Sequence, residues 1–169
     1  VEVLENKTPE GGIVSVHKDI SEGKRKEEQL QYLANHDPLT GLANRTLFEE
    51  YLDKTLVDAK NLNQKCAVVF YDLDGFKKVN DTHGHDFGDQ VLNYVATQLG
   101  HSVREQDLVA RIGGDEFAAV LVNVHSIEDV ETVAKRCLLN IGTSITLNGK
   151  SAEYGVSIGF AIFPEHGVE

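Results

Sequence analysis

An α+β domain, with a mainly antiparallel central sheet flanked by helices, is what this 169-residue chain predicts. Three observations carry that expectation. Helical and strand-like patterns alternate from residue 44 onward in the order α-β-α-β-β-α-β-β. Two β-prone runs, Asp107–Ile112 and Phe117–Val122, flank a Gly-Gly-Asp step, which reads as a hairpin because glycine supplies the positive φ a tight turn needs. The strand Cys66–Tyr71 precedes a helical stretch and that hairpin follows it, the order of a split βαβ core.

The elements follow in order. Residues 1–19 read as the end of another domain, with a turn at Gly11-Gly12 and a closing strand at Ile13–Val16. In residues 20–35 apolar positions are sparse, at Ile20, Leu30 and Leu33, with mixed charges between them. That is a polar linker helix, either solvated or one strand of a short coiled coil. Asp37-Pro38-Leu39-Thr40-Gly41-Leu42 is a break, since proline and glycine both punctuate it. Asn44 caps a helix whose apolar positions Leu47, Phe48, Tyr51, Leu52 and Leu56 recur at helical spacing. A helical turn runs from Phe76 to Asn80, Gly84 and Gly88 interrupt it, and a clearer helix runs from about Asp89 through Val91, Leu92, Val95 and Leu99. Residues 128–141 place Val130, Val133, Ala134, Cys137, Leu138 and Ile141 on one helical face. Ser144–Leu147 and Tyr154–Ile162 close the chain as strands across the turn signal Asn148-Gly149.

Composition bounds the function. Hydrophobic content of 41% and charged content of 25% are those of a soluble globular protein. A net charge of −11 argues against a generic binder of nucleic acid or anionic membrane, which needs a basic face. It leaves a nucleotide substrate open, because a bound cation inverts the local field. Cys66 and Cys137, without CxxC spacing, read as reduced core residues of a cytoplasmic protein. No apolar stretch has the length of a membrane span and none reads as a signal peptide. With no methionine and Val1 at its start, the chain reads as a piece of something larger, itself cytoplasmic even if the parent is membrane-attached.

The chemistry gathers at two strand ends. The hairpin tip carries Asp115 and Glu116, and about forty residues earlier a strand ends in Asp72-Leu73-Asp74. If those strands are neighbours, Asp72 and Asp115 converge at one sheet edge, where a hard cation offsets their repulsion. Strand alternation points Asp72 and Asp74 the same way while Leu73 offers its carbonyl. Carboxylates with a carbonyl suit Mg²⁺ or Ca²⁺. A helix starting near Phe76 aims free N–H groups at the same place, and Lys77 adds a positive charge, so phosphate is the fitting anion. A DxD step alone is more often a solvated strand end, and the residues after Asp74-Gly75 do not continue as an EF-hand loop. His83-Gly84-His85-Asp86 lacks the further ligands of a transition-metal site, so His85 reads as a packing or helix-start residue. Asp37 and Arg45 read as fixing their turn, Phe76 and Phe117 as core anchors, and Arg111 as pairing with a neighbouring carboxylate.

Taken together, GGDEF at 113–117, YDLDGFKKVND at 71–81 and DPLTGLANR at 37–45 resemble the GGDEF family of diguanylate cyclases, over about residues 36–162. Residues 10–35 resemble the last strand of a PAS sensor domain and the signalling helix that follows it. The resemblance implies a ferredoxin-like, nucleotide-cyclase palm fold for 36–169, and condensation of two GTP into cyclic di-GMP with release of pyrophosphate. It implies two Mg²⁺ ions, with Mn²⁺ as a substitute, on Asp72, Asp115 and the Leu73 carbonyl. Asn80 and Asp89 then read the guanine edge, with Phe76 beside them and Lys77 on phosphate oxygens. Asp115, Glu116 and Lys77 form the catalytic set. One domain holds one GTP, so the resemblance also implies a homodimer. Arg104-Glu-Gln-Asp107, ending five residues before Gly113, matches the family's RxxD site for inhibition by the product. A further helix carrying a lysine and an arginine for the terminal phosphates follows in the family, and the domain expected here lacks it. The non-enzymatic alternative is a domain of the same family that senses GTP or cyclic di-GMP and regulates a neighbour.

Overall fold

Residues 2–7, 12–18 and 20–167 are described by the computed structural model, and the chain divides into two units, 1–34 and 35–169. In the first, strands β1 (Glu2–Lys7) and β2 (Ile13–Lys18) pair antiparallel, Glu2 opposite Lys18 and Lys7 opposite Ile13. The strand expected at 13–16 is present and runs on to Lys18. Its partner was not foreseen, because Glu2-Val-Leu-Glu-Asn-Lys7 is short, with charged residues at three of its positions. The turn read at Gly11-Gly12 falls partly outside the described residues. Helix α1 spans Ser21–Asn35 and leaves Leu30, Tyr32 and Leu33 exposed.

The second unit contains α2 (Arg45–Leu62), β3 (Lys65–Asp72), α3 (Phe76–His83), α4 (His85–Ser102), β4 (Leu108–Gly113), β5 (Glu116–Val124), α5 (Ile127–Ile141), β6 (Ser144–Leu147), β7 (Lys150–Glu153) and β8 (Ser157–Phe163). Its main sheet has the order β4-β5-β3-β8, antiparallel throughout. From β3 the chain crosses through α3 and α4 to β4, turns into β5, and returns through α5 to β8 beside β3. That is the split βαβ plan in an antiparallel sheet.

Side-chain alternation explains the two cores. From β5, Phe117, Ala119 and Leu121 pack against Val91, Leu92, Val95 and Leu99 of α4 and Val130, Cys137 and Ile141 of α5. Ala118 and Val120 face the other way, toward Ala43 and Phe48. Because β5 is covered on both sides, its sequence is a continuous apolar run rather than an alternating one. Each large side chain so buried contributes about 1.5–3 kcal/mol. The Asn44 side chain accepts from the Leu47 amide at 3.1 Å, the cap that starts α2. Cys66 and Cys137 are both buried and unbridged, as expected, with Cys137 Sγ 3.4 Å from the Tyr71 hydroxyl.

Three expectations about elements need correction. Gly88 does not interrupt a helix: α4 starts at His85 and runs through it, and Gly84, at φ 88°, makes the break alone. Strand β3 stops at Asp72, so Asp74 does not stand on it beside Asp72. The run 154–162 is not one strand. Asn148-Gly149 instead returns the chain into β7, which pairs with β6 in a separate two-stranded sheet. Tyr154 then sinks into the core, its hydroxyl donating to the Ile141 carbonyl at 3.0 Å, and β8 begins at Ser157. Among the described residues no helix is long and apolar enough to cross a membrane.

Candidate active site

The register of the sheet brings the carboxylates together. Asp72 lies opposite Glu116 on β5 and opposite Ser157 on β8. Tyr71 and Phe117 point into the α4–α5 core, so Asp72 and Glu116 share the opposite face. Asp115 precedes Glu116 in the turn that closes β4 and β5, where Gly114 takes φ 55°. The expected convergence of Asp72 and Asp115 at one edge is thus realised one register position apart. Among the described residues none of these three carboxylates has an ion-pair partner. Like charges directly opposite on paired strands are destabilising, and this edge is unusually rich in them.

That donor set fits Mg²⁺. It consists of hard oxygens only, and the Leu73 carbonyl, which accepts the Phe76 amide at 3.2 Å, keeps a second lone pair. Among the described residues no three His, Cys, Asp or Glu side chains group tightly enough to hold a metal alone. A site of this kind leaves coordination positions to phosphate and water, which is how Mg²⁺ is ordinarily held. The end of β3 is fixed by Asp74, whose amide and carbonyl bond reciprocally with Gly155 at 3.0 and 2.9 Å. Ser157 Oγ donates to Asp74 Oδ2 at 2.8 Å, so this carboxylate is engaged in structure.

Beside this edge α3 and α4 meet. The amide of Phe76 bonds to Leu73, and those of Lys78 and Val79 bond to Gly75. The first turn of α3 therefore offers fewer free donors than expected. Lys77 itself is exposed. Asn80 Oδ1 is buried with no hydrogen-bond partner, a condition that costs about 1–3 kcal/mol. It lies against Gly88, where a Cβ would come within 1.9 Å of it. Asp89 follows, exposed, so the structure gathers Asn80 and Asp89 around one glycine. An amide next to a carboxylate matches a purine edge with both acceptors and donors. Phe76 is 7% exposed and belongs to the core, the anchor the sequence suggested, and its ring tip also lies 3.2 Å from where a Cβ on Gly88 would stand.

Arg45 takes a place the sequence did not indicate, while Arg111 keeps its expected pairing and adds a contact to it. Among the described residues the Arg45 side chain makes no hydrogen bond to its turn. It lines a cavity of about 430 Å³ with Phe70, Asp72, Glu116, Ser157 and Ile158. Arg111 does pair with a carboxylate, donating from Nη1 to Asp37 Oδ1 and Oδ2 at 3.1 and 3.2 Å. It also donates from Nε and Nη2 to the Gly114 carbonyl at 3.0 and 2.7 Å. Burial alone would raise the Asp37 pKa, but two bonds from Thr40 and the Arg111 guanidinium outweigh it and hold it below 3.8. A depressed carboxyl contributes its stability above the unfolded value and loses it as the pH falls through the folded one, so the pair is intact at neutral pH. Asp37 thus fixes its turn as expected.

At the RxxD sequence, Asp107 Oδ2 accepts from the Arg104 amide at 2.9 Å and Oδ1 from the Val122 amide at 3.1 Å. The aspartate closes a turn and leaves the Arg104 side chain exposed. His83 stacks on Phe87 at 4.8 Å between ring centroids, while His85 is exposed as the first residue of α4.

The split βαβ sheet, its glycine hairpin and the two adjoining helices match the fold of solved GGDEF domains. The family model for the diguanylate cyclase GGDEF domain matches residues 34–169, and the chain belongs to that family. It is 41% identical to the diguanylate cyclase TpbB of Pseudomonas aeruginosa over 81% of this chain and 32% of that protein. It is 39% identical to the cyclic di-GMP phosphodiesterase PdeR of Escherichia coli over 88% of this chain and 22% of that protein. The chain therefore spans about a third or less of the length of these relatives. The structure of the TpbB GGDEF domain superposes with a TM-score of 0.75 at 41% identity, covering 78% of this chain and 77% of that one. That of the coiled coil and GGDEF domain of DgcB from Caulobacter crescentus, in complex with c-di-GMP, gives 0.78 at 30% identity, covering 85% and 77%.

Proposed function

We propose that this chain carries a diguanylate cyclase domain, condensing two GTP into cyclic di-GMP with release of two pyrophosphates in bacterial signalling. The observation that carries the reading is the pairing of Asp72 with Glu116 beside Asp115 at the end of β3. Asp72, Asp115 and the Leu73 carbonyl would hold two Mg²⁺ ions, or Mn²⁺ in their place. When bound, these supply acidification of the attacking 3′-hydroxyl and neutralisation of charge on the leaving pyrophosphate. Asn80 and Asp89 orient the guanine, and the Lys77 ammonium balances phosphate charge. Glu116, exposed beside Asp72, keeps the edge negative. The 3′-oxygen forms a bond to the α-phosphorus of the facing GTP, pyrophosphate leaves with the old P–O bond, and the hydroxyl proton passes to solvent.

One site of this kind holds one GTP, so ring closure needs a second copy, and the working unit is a homodimer. Residues 1–19 then serve as the end of a PAS-type sensor and 20–35 as its signalling helix, in a cytoplasmic part of the parent protein that touches neither nucleic acid nor membrane. Cyclic di-GMP binds Arg104 and Asp107 as inhibitor, and its presence in the DgcB structure supports a product site on such domains. Arg104→Ala is expected to raise the product concentration for half-inhibition about tenfold or more, since an arginine fork on phosphate is being removed. An unaltered inhibition curve would remove this site. The likeness to a phosphodiesterase favours a second reading, a GTP or cyclic di-GMP sensor without turnover.

The test incubates the full-length protein with GTP and Mg²⁺ and follows cyclic di-GMP by chromatography and mass. Product with pyrophosphate establishes the cyclase. GTP binding without product, at concentrations where the protein dimerises, selects the sensor. Binding of neither GTP nor added cyclic di-GMP sinks both.

A further inference from the structure

We infer that Arg111 is a positioning residue for this reaction, its guanidinium clamping the Gly114 carbonyl to Asp37 and so fixing where Asp115 stands. The inference rests on the cyclase reading for its kinetic consequence, and on the structure alone for the clamp. Gly113 and Gly114 have φ of 157° and 55°, and a Cβ built on either would meet nothing within 4 Å. Open space therefore lies beside both glycines, and they give the turn that presents Asp115 wide conformational freedom. Among the described residues Arg111 alone bonds to it through a side chain, with two donors on one carbonyl.

Arg111 is itself immobilised from three directions. Its backbone pairs with the fully buried Phe117 on β5. Its amide donates to the Ala43 carbonyl at 2.9 Å on the other side. Its remaining guanidinium nitrogen, Nη1, meets Asp37, whose Oδ1 is already held by the Thr40 amide and hydroxyl at 2.8 and 2.7 Å. The side chains of the pair are only 14% and 18% exposed, so solvent screens it far less than a surface pair. Asp37 and Arg111, 74 positions apart, thus tie the turn of residues 37–40 to the catalytic hairpin. A misplacement of about 1 Å costs on the order of 10²-fold in rate.

Arg111→Ala is expected to lower kcat about 10- to 100-fold. The Kd for GTP, measured with Ca²⁺ to prevent turnover, should change less than about threefold, because Asn80 and Asp89 lie elsewhere. Arg111→Lys fails to rescue, since an ammonium cannot span a carbonyl and a carboxylate as the fork does. Asp37→Asn gives a smaller loss, and adding it to Arg111→Ala costs nothing more. Hydrogen exchange at the Gly114 and Asp115 amides rises in Arg111→Ala, while that of β3 and β5 is unchanged. Turnover within twofold of the parent, or an unchanged hairpin exchange pattern, overturns the assignment. If the parent makes no product the cyclase reading fails, and the exchange comparison still decides whether Arg111 holds the turn. Should Arg111→Ala not fold, Asp37→Asn carries the same comparison.

Discussion

Asp115→Ala is expected to abolish product formation, by about 10³-fold or more, while leaving the melting temperature unchanged or raised. Both halves of that expectation follow from where the residue sits. Asp115 lies in a turn, half-buried, with no ion-pair partner among the described residues, and two neighbouring carboxylates crowd its edge. Without a cation these groups repel, so removing one relieves the fold. With a cation they become its ligands, so removing one empties the site. The same logic gives a readout independent of turnover. Mg²⁺ raises the melting temperature of the parent protein by mass action on the folded state, and the rise is lost in Asp115→Ala and in Asp72→Asn. Retained turnover in Asp115→Ala, or a Mg²⁺-dependent stabilisation that survives both substitutions, would sink the assignment of this edge as the metal site.

The elements read correctly from sequence are those whose signal is local. The β4–β5 hairpin announces itself through Gly113-Gly114 between apolar runs, and β5 reads as a strand because both its faces are buried. The convergence of Asp72 with Asp115 was legible because it needed only that two recognisable strands be neighbours. What stayed hidden depends on distant partners. The run 154–162 shows no break in hydrophobicity, and only the burial of Tyr154 and the pairing of Gly155 with Asp74 divide it. Arg111 reads as pairing with a carboxylate, but that the partner is Asp37 and that its other donors reach Gly114 emerges only in the fold. Arg45 faces the cavity because of the way α2 lies on the sheet, which no spacing of its neighbours encodes.

Gly88 is the sharpest case, since its sequence signal points the wrong way. Glycine inside a helix costs about 1 kcal/mol relative to alanine, so a pattern reader ends the helix there. The structure keeps the helix and uses the missing Cβ as room for the Asn80 amide. Gly88→Ala should therefore separate stability from recognition. The new methyl would lie 1.9 Å from Oδ1 and 2.9 Å from Cγ of Asn80, so the amide must swing away. That movement is open to it, because the amide is the free end of a side chain whose Oδ1 has no hydrogen-bond partner among the described residues. The helix meanwhile gains intrinsic propensity, and the melting temperature should hold or rise. The Kd for GTP should weaken about 10- to 100-fold, the range for losing one or two hydrogen bonds to a buried edge. Discrimination between GTP and ATP should fall with it. Asn80→Ala should show the same loss, and combining the two should add little, because both empty one place. A Gly88→Ala protein that binds GTP as the parent does would mean that the Asn80 amide, orphaned as it is, does not read the base.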